Sequence, residues 1–126
     1  GKFPAVRLVQ AGFAFAVLGA LGLWLTWGQG AAEAAFALMV AASLGIVQGA
    51  SFAAIPQLNP RPEDRARAAG AIAQLGNLGT TTGTPLLAYL VERAGAAGLA
   101  LFVLGFSGLC IAIHALLARR RRAFSG

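Results

Sequence analysis

The sequence predicts an all-α membrane protein with four transmembrane helices. Three observations predict it. First, 58% of the 126 residues are hydrophobic and 11% are charged, against about 45–50% and about 25% in a soluble domain. Second, the uncharged residues fall in four stretches, each long enough to cross a bilayer. Third, the basic residues gather at places that a four-helix arrangement puts on one side.

The four stretches run Leu8 to Ala32, Ala34 to Pro60, Ala68 to Val91 and Ala94 to Ala118. Each covers a hydrocarbon core of about 30 Å at about 1.5 Å per residue. Lipid offers the backbone no hydrogen-bond partner, so spans are helices or closed barrels. Barrel strands alternate with period two over about 9–11 residues, and that alternation is absent. Proline and glycine narrow the helices to near 4–27, 33–57, 64–92 and 96–118.

Helix one is mostly Ala, Leu, Phe, Gly and Val, with Trp24 and Trp27 placed as interfacial anchors at its outer end. Gln10 lies near the inner end. The following turn, Trp27-Gly28-Gln29-Gly30, has no basic residue and leads to Glu33. Helix two carries Ser43, Gln48 and Ser51, of which Gln48 and Ser51 are expected to line a substrate cavity, and a Gly45-x-x-x-Gly49 spacing. Gln48 suits a hydrogen bond to a substrate or to a backbone carbonyl opened near Pro56. Pro60 and Pro62 end helix two and start helix three. Glu63 and Asp64 then sit in the first turn, where the helix dipole favours them.

Helix three shows two stripes. Gln74, Asn77, Thr81 and Thr84 recur at i, i+3, i+7 and i+10, one polar face. Gly76, Gly79 and Gly83 form another face. Intramembrane polar groups face protein or water rather than lipid. Gln74, Asn77 and Thr81 therefore read as a substrate or water path, or as interhelical hydrogen bonds; Thr80 and Thr82 read as the latter. Gly45, Gly49, Gly76, Gly79 and Gly83 read as packing positions where backbones approach closely, against helices outside this sequence. In helix four, His114 and Cys110 are one turn apart and read as an interfacial His and a buried neutral Cys.

Lys2, Arg7, Arg61, Arg65, Arg67 and Arg119 to Arg122 are nine of the ten basic residues. They lie at the N-terminus, the second turn and the C-terminus. The positive-inside rule makes that side the cytoplasm, so the expectation is a multi-pass protein of a cell membrane of the bacterial inner-membrane kind, with both termini inside. The third turn, Glu92-Arg93-Ala94-Gly95, holds the remaining Arg. Arg119 to Arg122 are expected beyond the end of helix four, among lipid headgroups.

The net charge of +6 is not expected to serve nucleic acid, because the basics end apolar runs and no soluble face carries them. One cysteine allows no intrachain disulfide and no multi-Cys metal site. No metal, no cofactor and no catalytic constellation is expected, and hence no enzyme. The first apolar run lacks a cleavage pattern, so it does not read as a removed targeting segment. The start at Gly1-Lys2 is expected to lie within a longer protein.

Several of these residues carry a family resemblance. Ser43-Leu44-Gly45 through Gly49, Phe52 and Pro56 are followed by Arg65-Ala66-Arg67-Ala68-Ala69-Gly70 and Leu78-Gly79-x-x-x-Gly83-x-Pro85. Together they resemble the last helices of a major facilitator superfamily transporter. The resemblance implies helices nine to twelve of a twelve-helix fold, with the preceding helices in the same chain as partners. It also implies that helices two and three here line the central cavity, while one and four face lipid. The function implied is secondary active transport of a small-molecule solute by alternating access. Two alternatives remain: a complete four-helix multidrug exporter, and a membrane-embedded scaffold or assembly subunit. Small multidrug exporters rely on a Glu within helix one. That helix has none here, and Glu33 lies at the outer edge of helix two.

Overall fold

A computed structural model describes residues 4–123, with side chains described to residue 120. Lys2 and the side chains of Arg121 and Arg122 lie outside the described residues. Three helices make up the structure: α1 (Pro4–Leu25), α2 (Ala31–Leu58) and α3 (Pro62–Ala123). No strand occurs among the described residues. All three are long and apolar enough to cross a membrane, which is compatible with a multi-pass membrane protein.

The ends of the helices follow local chemistry. α1 stops two residues before the expected end, because Gly28 and Gly30 take φ of 79° and 56°, a conformation that glycine adopts without a Cβ penalty. Trp27 therefore sits in the turn. The Glu33 carboxylate reaches back and accepts the Gly28 N–H at 2.9 Å. At the far end of α2, the Asn59 N–H and side-chain amide both donate to the Ile55 carbonyl at 2.9 Å. That carbonyl is one of those a helix C-terminus leaves without a partner.

The sequence predicts four helices where the structure has three, and the difference lies at the Glu92–Gly95 turn. Two helical stretches meet there with no intervening loop, and one residue, Gly95, makes the change of direction with φ 53° and ψ −131°. A straight helix of α3's 62 residues would extend about 93 Å at about 1.5 Å per residue. Instead Gly98 packs against the Leu90 carbonyl, and Gly83 lies against the tip of Phe102. α3 is thus folded into two antiparallel arms, 62–94 and 96–123. The expected end at 118 is also passed. Ala and Arg are good helix formers, and no Gly or Pro interrupts the arginine run, so the helix continues to Ala123.

Packing is inverted relative to a water-soluble fold. The buried apolar residues are mostly small: Ala5, Ala16, Ala20, Ala50, Ala54 and Ala100, with Val6, Val9, Leu23 and Ile55. The largest fully buried side chain is Val9. Large apolar residues point outward instead, among them Phe15, Leu18, Leu25, Leu38, Leu75 and Leu101. Lipid tails are as apolar as leucine, so membrane helices associate through small residues that let backbones approach.

α1 is the hub. Gly12, Gly19 and Gly22 face Val47, Val40 and Phe36 of α2, in falling order, so the two helices are antiparallel. Phe13 of α1 meets His114 of the second α3 arm, with ring centroids 6.2 Å apart. Within this chain α1 is the most covered helix, and residues 73–82 of α3 are all exposed. The cause is α1's row of small residues, which seats two neighbours at once.

Candidate functional site

The first arm of α3 has three distinct faces. Gly76, Gly79, Thr80, Gly83, Thr84 and Leu87 form one wall of an open groove, closed on the other side by Phe102 of the second arm, with a volume of about 290 Å³. Gln74, Asn77 and Thr81 lie on a second face, and Leu75, Leu78 and Tyr89 on a third; all six are exposed. The folding-back at Gly95 creates the groove, since it brings Phe102 onto the glycine face.

The hydroxyls divide into two groups. Ser43, Ser51, Thr80 and Thr82 each donate to the carbonyl four residues earlier, at 2.6, 2.7, 3.0 and 2.8 Å. Such bonds satisfy the hydroxyl within its own helix. Thr80 and Thr82 were expected to bond between helices and bond within one instead. Ser51 is occupied in the same way and is half-buried. By contrast, Gln48, Gln74, Asn77 and Thr81 are exposed, and no side-chain hydrogen bond among the described residues engages them. A primary amide holds two donors and an acceptor. Gln48, Gln74 and Asn77 therefore offer substantial unmet hydrogen-bonding capacity on helices otherwise largely apolar.

The expected packing glycines also divide. Gly83 touches Phe102, with 3.6 Å to a Cβ built there, and Gly76 and Gly79 line the groove. Gly45 and Gly49 meet nothing within 4 Å. The glycines that pack tightly within this chain are Gly12, Gly19, Gly22 and Gly98, which sequence reasoning missed. For Gly12 and Gly19 the signal was present as a seven-residue rhythm, Ala5, Gly12 and Gly19, interleaved with Val9, Ala16 and Leu23.

Polar contacts at one end hold the helices in register. The Gln57 side chain of α2 accepts the Ala5 N–H of α1 at 3.3 Å. The Arg65 guanidinium donates to the Asn59 and Pro60 carbonyls at 2.9 and 3.0 Å, bridging the end of α2 to the start of α3. His114 donates through Nδ1 to the Cys110 main-chain carbonyl at 2.9 Å, a contact that does not involve the thiol. No group of three His, Cys, Asp or Glu that could hold a metal ion occurs among the described residues.

Comparison with protein families, curated proteins and solved structures gives no match to this chain.

Proposed function

We propose that this chain is the C-terminal part of a secondary transporter of the major facilitator kind, working by alternating access on a small solute. On this reading α1, α2 and the two arms of α3 each cross the bilayer, with both ends in the cytoplasm. α2 and the first arm of α3 line the solute path. The observation that carries the reading is the exposed row Gln74, Asn77 and Thr81, unpartnered on the first arm of α3, a helix that as a whole is long and apolar enough to cross a membrane. Lipid is a poor neighbour for such groups, which in membranes face protein or water. The uncovered Gly45–Gly49 face of α2 supports further helices of the same chain packing there.

The test is thiol accessibility in the full protein. With Asn77→Cys and Thr81→Cys, a membrane-impermeant maleimide reacts at both positions, and a transported solute slows the reaction. Protection of both positions in every transport state overturns the path assignment.

A further inference from the structure

The charges of the folded chain are separated between its two ends. The Ala5–Gln57 hydrogen bond sets the start of α1 level with the end of α2. Successive reversals make the second arm of α3 antiparallel to α1, with Phe13 opposite His114. Arg7 lies six residues from Phe13 toward that end, and Arg120 six residues from His114. Both are thus displaced by about 9 Å at about 1.5 Å per residue, and they stand at one level. Arg61, Arg65 and Arg67 belong to the turn at this same end. Arg65 is committed to backbone carbonyls, and Arg61 pairs with Asp64 at 3.5 Å. The opposite end holds Glu33, Glu92 and Arg93, and there Arg93 lies over the Tyr89 ring.

An apolar tier lies within one helical turn of Arg7, Arg119 and Arg120 along the chain. Leu8, Leu116 and Leu117 are 50%, 56% and 46% exposed, beside the exposed Arg7, Arg119 and Arg120. Exposed cations within a turn of exposed leucines match the headgroup and acyl layers of a phospholipid leaflet. A nucleic acid would leave the leucines in water. We propose that Arg7 of α1 and Arg119 and Arg120 of α3 form a docking surface for anionic phospholipid, with the headgroup phosphate on the guanidiniums and the acyl chains along Leu8, Leu116 and Leu117. Arginine suits this task because its planar fork pairs phosphate oxygens two at a time. The surface does not depend on the transport reading.

The experiment uses the full chain reconstituted in phosphatidylcholine bilayers containing a minority of phosphatidylglycerol, with co-retained lipid counted by native mass spectrometry. The wild-type chain retains phosphatidylglycerol in preference to phosphatidylcholine. The Arg7→Gln/Arg120→Gln double variant loses that preference by roughly fivefold per charge removed, since each surface basic residue contributes about 1 kcal/mol. Arg7→Lys/Arg120→Lys keeps most of it, and Arg93→Gln at the opposite end keeps all of it. Should the glutamine variant lose helicity, wild type at about 1 M salt, where the Debye length is about 3 Å, must show the same loss. Equal retention of the two lipids, an unchanged preference in the double variant, an equal loss in Arg93→Gln, or indifference to salt overturns the proposal.

Discussion

Gly98 packs against the main-chain carbonyl of Leu90, eight residues earlier and across the turn at Gly95. A Cβ at Gly98 would overlap backbone, which has no rotamer with which to yield. Gly98→Ala is therefore expected to cost about 3 kcal/mol, the upper part of the overpacking range. Gly108 lies on the same arm with nothing within 4 Å of a built Cβ, so Gly108→Ala is expected to be neutral or to gain up to about 1 kcal/mol from helix propensity. Unfolding in mixed micelles, followed by far-UV circular dichroism, separates the two. Equal effects would mean that the arms do not fold back at Gly95.

The α1–α2 seam makes a coupled prediction. A Cβ at Gly12 would lie 2.6 Å from a Val47 methyl and 3.2 Å from the Ser43 carbonyl. Gly12→Ala is expected to cost about 1–3 kcal/mol. Val47→Ala removes the methyl and relieves part of that cost, so the double variant is more stable than the sum of the singles predicts. The expected coupling is about 0.5–3 kcal/mol in a double-mutant cycle. Additivity would place Gly12 away from Val47.

Arg65 is expected to hold the α2–α3 turn. Arg65→Gln removes its hydrogen bonds to the Asn59 and Pro60 carbonyls. Each is exposed, so the loss is set at about 1 kcal/mol, the low side for bonds to a charged group. Amide exchange at Asn59, whose N–H donates to Ile55, should accelerate about fivefold. Exchange at Leu18 in α1 serves as the control and should not change. An unaltered Asn59 rate would make the guanidinium contacts incidental.

The three faces of the first α3 arm predict a periodic accessibility profile. Spin labels at Leu75 and Leu78, which are 68% and 60% exposed, should collide with oxygen dissolved in lipid. Labels at Asn77 and Thr81 should collide with a water-soluble nickel chelate in the full protein. The two collision rates should run out of phase around the helix, with a period of about 3.6 residues. Oxygen access on every face would surround the arm with lipid and end the water-path reading.

Much of the architecture was legible in the residues. Uncharged runs longer than a bilayer is thick leave the backbone only helical options, so the spans of α1 and α2 were found to within two residues. Gln48, Gln74, Asn77 and Thr81 could be named because polar side chains stand out in apolar runs. The position of the Glu92–Gly95 turn was legible too, but not its form. Whether two helices are joined by a loop or by a single residue depends on the φ and ψ that one residue adopts, here Gly95, and composition does not record that.

By itself, the sequence determined which segments are helical, which polar residues interrupt the apolar runs, and which turns and termini gather the basic charge. These are properties of each residue against water or lipid. Only the tertiary structure decided which glycines are contacts, that α1 is the hub, that Thr80 and Thr82 close onto their own helix, and that Phe102 caps the glycine face of α3. In an apolar chain every glycine and alanine looks alike from the sequence. What distinguishes them is the distance to a neighbouring backbone, which exists only once the helices have packed.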